Sequence, residues 1–407
     1  MKEIPNLRHL RAFCEVARRG SISQAAEHVH LSQPAITQAI ANLEEEVGAP
    51  LFDRRPDGMA LSPVGALFQD RAERALERLR TGTREAIRVG GRKGVRGFQD
   101  FDQLLTAAQV RALTAVADAG NFSLAARNVG ISQPTMHRAA RDLERLSGLS
   151  LFTRSATGIV LTPAARALAQ HVKLAVAELT QGFAEVRESL GGDSGRIVVG
   201  SMPLSRTYIL PSAINALVRE RPDVEIDAID GPYEDLLHGL RTGDIDVLIG
   251  ALRDPLPIDD VVQEPLFEDP IAVAARAFHP LSRKTEVTLD DLAACQWVVP
   301  RRGTPTRDRF EALLGGRATR GLVETSSQIL VRGLLLGSDR LTFISAHQIR
   351  HEHELGLLVT LPVDLPGTER PIGLTMRRGW RPTPTQRLFI DFLREAGRSA
   401  VSPVRSA

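Results

Sequence analysis

Only two cysteines, Cys14 and Cys295, occur in 407 residues, so no disulfide framework exists and packed cores must hold the chain together. No apolar run approaches the roughly 18 residues a membrane helix needs, and the charged N-terminus lacks the apolar core of a signal peptide. Neither secretion nor membrane spanning is expected, and the expected location is the cytoplasm. Catalytic signatures are also missing: no Gly-x-Ser-x-Gly elbow, no Gly-rich phosphate loop with Lys, no Cys-x-x-Cys pair. His347, His351 and His353 with Glu352 and Glu354 form one metal-suggestive cluster, but it lacks the carboxylate spacing of a zinc protease. No catalytic residue, cofactor or metal is expected. Charge of either sign is scarce in excess, the net being +2, although residues 1–190 carry 25 basic and 20 acidic side chains against 26 and 29 in the remainder. Affinity for an acidic partner must therefore rest on placed groups more than on bulk charge.

What the chain does have is an internal repeat. Residues 7–63 laid over 107–163 agree at 22 of 57 positions without a gap, among them Gly20/Gly120, Ser32-Gln33-Pro34/Ser132-Gln133-Pro134, Leu43-Glu44/Leu143-Glu144, Leu51-Phe52/Leu151-Phe152 and Arg54/Arg154. In the first copy Leu10, Phe13, Val16 and Ala17 recur at helical spacing and Gly20 supplies a left-handed stop. Ser21 with Gln24 has the form of a capping box for a short second helix. Ser32 is an N-cap and Pro34 falls in the first turn of a third helix, where a missing N–H costs nothing. Ile36, Ile40 and Leu43 face inward there, leaving Ala35, Thr37, Gln38, Ala41 and Asn42 outward, a small polar face suited to a major groove. Beyond Gly48, Leu51-Phe52 reads as a strand, Asp57-Gly58 as a hairpin turn, and residues 59–61 as the returning strand. Arg54 and Arg55 at the base of this wing are placed to meet phosphate or enter a minor groove. The second copy repeats the pattern with Met136, Ala140 and Leu143 inward, Thr135, His137, Arg138 and Arg141 outward, and Arg154 in the wing. Ordered caps, turn, wing and arginine, seen twice, predict binding to double-stranded DNA through Ser32, Pro34, Ala35, Thr37, Gln38, Arg54, Arg55, Ser132, Pro134, Thr135, His137, Arg138 and Arg154.

This combination resembles the DNA-binding domain of LysR-type transcriptional regulators: Ser-Gln-Pro opening the recognition helix, Leu-Glu at its end, Leu-Phe-x-Arg in the wing, and Ser/Thr-Pro opening a long helix. The family carries one such domain per chain, so the second copy is a departure.

A helix follows each wing. In the second, Ala165, Leu168, Val172, Ala175, Leu179, Phe183, Val186 and Leu190 form a heptad stripe that wants a partner helix, and a partner subunit is expected there. The first, over residues 63–89, carries a shorter stripe and an outer face dense in arginine, including Arg71, Arg74 and Arg78; intramolecular packing and dimerisation are equally good readings of it. Residues 90–97 form a basic Gly-rich joint expected to give the two modules reach without a rigid spacing. A second joint lies at 191–195.

From Arg196 the pattern alternates strand and helix, which predicts a parallel sheet covered by helices. Leu210-Pro211, Arg221-Pro222-Asp223-Val224 and Gly243-Asp244-Ile245-Asp246 resemble the LysR effector domain, itself similar to periplasmic solute-binding proteins. That resemblance implies two α/β lobes, 196–268 with 360–395 and 269–359. A pocket then forms at the carboxyl ends of strands between them, where Ser201, Met202, Arg253, Thr304, Arg307 and Ser327 are the candidate effector contacts, with Arg302 a further cation.

The expected fold is thus multidomain: two all-α winged helix-turn-helix domains (1–65 and 102–163), linker helix and joint (66–101), a dimerisation helix (164–195) and a two-lobed α/β domain (196–395). The expected function is transcription regulation under a small-molecule effector, a carboxylate or a sugar, by a homodimer or homotetramer. The competing reading is an enzyme or solute-binding α/β protein whose helical half only oligomerises.

Overall fold

In the computed structural model helix ends in the first half are set largely by side-chain caps and glycines, among them Ser32, Ser62, Ser132 and Thr162 at N-termini and Gly20, Gly48, Gly120 and Gly148 at C-termini. Residues 4–29, 31–56, 58–91, 100–155, 158–192, 195–256, 258–315, 317 and 321–401 are described. Asp57 of the first hairpin turn, residues 92–97 of the basic joint, and Asp193 and Ser194 of the second joint lie outside them. Contacts divide the chain into two units, Met1–Arg196 with Arg241–Asp244, and Ile197–Leu240 with Ile245–Ala407.

The first unit contains the repeat. Copy one runs α1 (Leu7–Arg19), α2 (Ile22–Val29), α3 (Gln33–Val47), β1 (Phe52–Arg55), β2 (Gly58–Leu61) and α4 (Pro63–Gly90). Copy two runs α5 (Ala107–Ala119), α6 (Phe122–Val129), α7 (Gln133–Ser147), β3 (Phe152–Ser155), β4 (Gly158–Leu161) and α8 (Pro163–Ser189). The hairpins are antiparallel, pairing Arg54 with Met59 and Arg154 with Ile159, so neither copy is purely helical. Gly20, Gly48, Gly120 and Gly148 all close their helices in the left-handed conformation. Gly58 and Gly158 are held by a close approach: a Cβ there would stand 2.4 Å and 2.9 Å from the carbonyl oxygens of Gly20 and Gly120. Those carbonyls accept from Met59 N and Ile159 N at 2.9 Å, fastening each hairpin to its first helix.

Leu10, Phe13, Val16, Ile36, Leu43 and Leu51 are buried together, and the Phe13 ring lies 5.4 Å from Phe52 and 5.8 Å from Phe68, joining helices, hairpin and long helix in one core. That core continues between α4 and α8. Phe68, Ala72, Ala75, Leu79 and Ala86 of one pack with Leu168, Val172, Ala175, Leu179 and Val186 of the other. The expectation that the α8 stripe seeks a second subunit is corrected here: the partner is α4 of the same chain. Arg71, assigned to an outer face, is 1% exposed and lies inside this pair.

Among its described residues the second unit holds two sheets, and both are mixed where the strand–helix alternation predicts parallel strands. Its elements are β5 (Arg196–Ser201), α9 (Ile209–Glu220), β6 (Glu225–Asp230), α10 (Tyr233–Thr242), β7 (Val247–Ala251), β8 (Val261–Asp269), β9 (Ile271–Arg276), α11 (Leu289–Ala293) and β10 (Trp297–Val299), followed by α12 (Pro305–Leu314), β11 (Val323–Glu324), α13 (Gln328–Leu336), β12 (Leu341–Ser345), α14 (Arg350–Glu354), β13 (Leu358–Thr360), β14 (Arg370–Arg377) and α15 (Pro384–Val401). One sheet has the order β6-β5-β7-β14-β8 and the other β11-β10-β12-β9-β13. β5 and β7 are parallel, as the strand–helix alternation requires, but β14 returns from late in the chain and runs antiparallel to both β7 and β8. Separate cores back the two sheets, one around Ile249, Leu374 and Phe389 and one around Val273, Trp297 and Phe343.

Candidate nucleic-acid interface and cleft

Ser32 Oγ accepts from Ala35 N at 3.3 Å and Pro34 occupies the first turn, so the exposed N-terminal end of α3 presents Ala35, Thr37 and Gln38 to solvent. Thr37 Oγ1 donates to the Gln33 carbonyl at 3.0 Å, and Gln38 Nε2 donates to Asn42 Oδ1 at 2.7 Å, which pre-orients the amide. In α7, Ser132 Oγ accepts from Thr135 N at 3.3 Å, and Pro134, Thr135 and Arg138 are exposed. His137 is half-buried, its ring stacked on Phe122 at 4.0 Å. Arg54, Arg55 and Arg154 are exposed on the hairpins.

The two helices are tied to their hairpins by one device. Glu44 Oε1 accepts from Leu51 N at 2.7 Å and Phe52 N at 3.3 Å; Glu144 Oε1 accepts from Leu151 N at 2.9 Å and Phe152 N at 3.1 Å. The Leu-Glu pair thus has a structural purpose: leucine fills the core while glutamate satisfies two strand donors and fixes the angle between hairpin and helix.

In the second unit a cleft with about 780 Å³ of empty space, its open mouth included, lies between the two sheets. Met202, Ala251, Val299, Phe343 and Ile344 give it an apolar body; Thr304, Thr306, Thr325, Ser326, Gln328, Gln348 and Arg370 give it a polar side. Arg370 Nε donates to Asp269 Oδ2 at 3.0 Å and its Nη1 donates to Thr306 Oγ1. Burial pushes the Asp269 carboxyl above the usual carboxylate range, against the pull of Arg370 and of the Ser345 hydroxyl that donates to it. An apolar cavity with a few convergent polar groups is the form of a small-molecule site.

Comparison with known proteins agrees with both halves. The model of the bacterial regulatory helix-turn-helix protein, lysR family, matches residues 7–66 and again 107–166, and that of the LysR substrate binding domain matches 190–398. The HTH-type transcriptional regulator GalR of Pseudomonas putida is 35% identical over 396 residues, covering 97% of this chain and 98% of that protein. The uncharacterized HTH-type transcriptional regulator YdcI of Escherichia coli is 31% identical over 282 residues, 68% of this chain and 91% of its own. Among solved structures, a full-length OxyR variant from Pseudomonas aeruginosa superposes with a TM-score of 0.54 at 25% identity, over 72% of this chain and 95% of that one.

The chain belongs to the LysR family. It is a transcriptional regulator with a substrate-binding domain, and not an enzyme; GalR and YdcI are themselves called transcriptional regulators. No helix among the described residues is long and apolar enough to cross a membrane, and no three His, Cys, Asp or Glu side chains among them converge as metal ligands.

Within this LysR-family chain the residues singled out for DNA cluster as the sequence groups them, on the exposed ends of α3 and α7 and on the hairpins, with His137 the exception because stacking on Phe122 draws it towards its own module. The cleft residues divide. Met202 and Thr304 line it. Ser201 is buried and donates towards the Ile229 carbonyl at 3.4 Å, and Ser327 is spent as the N-cap of α13. Arg253 lies over the Tyr233 ring at 4.4 Å. Arg307 is buried, donating to Glu311, Glu324 and the Pro300 carbonyl, so it braces α12 rather than facing a ligand. Arg302 is exposed and lies outside the lining. Thr306, Thr325 and Ser326, which stand in the strand-to-helix segments 303–307 and 325–327, also line the cleft, whereas Arg370 and Gln348 carried no signal in the sequence.

Proposed function

We propose that this regulator grips double-stranded DNA through two winged helix-turn-helix modules in tandem, residues 1–65 and 102–163, and senses a small molecule in the cleft between two lobes, 196–268 with 360–395 and 269–359. The observation that carries the reading is the repetition of one exposed geometry: capped helix end, small polar face, hairpin with an arginine at its base, each locked by the same glutamate. GalR of P. putida supports the tandem arrangement, since it matches along nearly its full length, whereas the OxyR structure leaves over a quarter of this chain uncovered.

On this reading Ser32, Pro34, Ala35, Ser132, Pro134 and Thr135 place the helix ends against phosphate and groove edge, Thr37, Gln38 and Arg138 read bases, and Arg54, Arg55 and Arg154 hold backbone. The effector has an apolar body and a polar end, a small carboxylate being the class that Arg370 and the hydroxyls of Thr306 and Ser326 suit. The assembly is a homo-oligomer acting in the cytoplasm. A footprint of the purified chain on its own upstream region, with and without a panel of small carboxylates and sugars, tests this. Protection that lengthens, shortens or shifts with one compound is expected. No protection at any concentration would refute the reading.

A further inference from the structure

α4 and α8 meet as two identical subunits would. Residues a hundred positions apart are equivalents in the repeat, and the contacts across the helix pair come in mated couples. A Cβ on Gly82 would stand 2.5 Å from His171 Cβ, and one on the equivalent Gly182 would stand 2.9 Å from Cβ of the equivalent Arg71. The His171 ring pairs with Glu85 at 3.0 Å, and Arg71 pairs with Glu185 at 2.6 Å. Contact of i with j, repeated as contact of the mate of j with the mate of i, is the mark of an isologous two-fold interface. Partner numbers rise on one helix as they fall on the other, so the helices are antiparallel.

The pair is also specified against its symmetric alternatives. Glu178, buried, receives Arg71 Nη1 at 2.7 Å and Arg74 Nη2 at 2.9 Å. Its equivalent in copy one is Arg78, and the equivalent of Arg74 is Leu174. Two α4 helices paired in this register would set Arg74 against Arg78; two α8 helices would leave the Glu178 carboxylate buried beside His171 and Leu174. Only the unlike pair satisfies the charges.

We propose that one chain is by itself a complete two-headed reading unit, its heads held at a fixed separation by the α4–α8 pair, and that the DNA site it reads has two unlike halves. This rests on the DNA reading proposed above. The heads differ where bases would be met: Thr37 and Gln38 on α3, Arg138 on α7, with His137 drawn back onto Phe122. Glutamine matches the adenine edge and arginine the guanine edge. One half therefore centres on adenine and the other on guanine.

Selection of bound sequences from randomised DNA by the full-length chain, repeated with Gln38→Ala and Arg138→Ala, tests this. A unit of two unlike halves at a single spacing, one unit for each chain of the homo-oligomer, is expected, with each variant relaxing preference by roughly tenfold at one kind of half only. Inserting about five base pairs, half a helical turn, between the halves should abolish the gain from the second head. A palindromic site whose two halves relax together in each variant, or equal binding at any spacing, would overturn the proposal while leaving DNA reading intact. No selected sequence with the unmodified chain would defeat the DNA reading itself, and this inference with it.

Discussion

Glu44 and Glu144 show how much of a module one side chain can set. Each accepts from two strand amides at the corner between helix and hairpin, so Glu44→Ala removes the acceptor for both donors and should destabilise the first module by about 1–3 kcal/mol, whereas Glu44→Gln keeps a carbonyl acceptor and most of the stability. Thermal unfolding of the two variants checks this; equal loss from both would mean that charge, not acceptance, is what matters. Burial pushes the Cys14 thiol up to about 12, away from the thiolate form.

At the scale of elements, the α4–α8 pair carries a pH signature. Burial opposes ionisation of Glu178, but hydrogen bonds from Arg74 and Arg71 outweigh it and hold the carboxyl below its ordinary value. A depressed folded-state value means that the contribution is fully present above the unfolded glutamate value, about 4.3, and is lost as pH falls through the lower folded one. Unfolding followed between pH 7 and pH 3 should show that loss, and Glu178→Gln should cost about 3 kcal/mol at neutral pH and flatten the acid limb. An unchanged acid limb in the variant would show that other carboxylates govern it. Many helix ends and inward faces of the first half are legible in the sequence because they depend on local features: Gly20, Ser32, Gly48, Pro63 and the spacing of Ile36, Ile40 and Leu43. The partner of the α8 stripe was not, because a heptad stripe records that it must be covered and not by what. Arg71 looked like solvated charge for the same reason; Glu178, Gln181 and Glu185 that bury it lie over 100 residues away. The mixed sheet and Arg370 in the cleft likewise depend on β14 returning to strands laid down about a hundred residues earlier.

For the whole molecule, DNA falls to one unit and effector to the other, and separate variants should divide the two. Ala251 lines the cleft, and Ala251→Phe fills it, so calorimetric binding of the effector should be lost while DNA retention persists. Loss of both together would indicate a folding defect rather than a blocked cleft. On a chain with a net charge of only +2, sequence reading must come from placed groups. Titration of the full-length chain against its own upstream region and against a scrambled duplex, over a series of salt concentrations, tests it most directly. Placed base contacts predict preference for the specific duplex of about 10³ or more, with log K for both falling linearly in log salt. Equal affinity for the two duplexes at every salt concentration would contradict it.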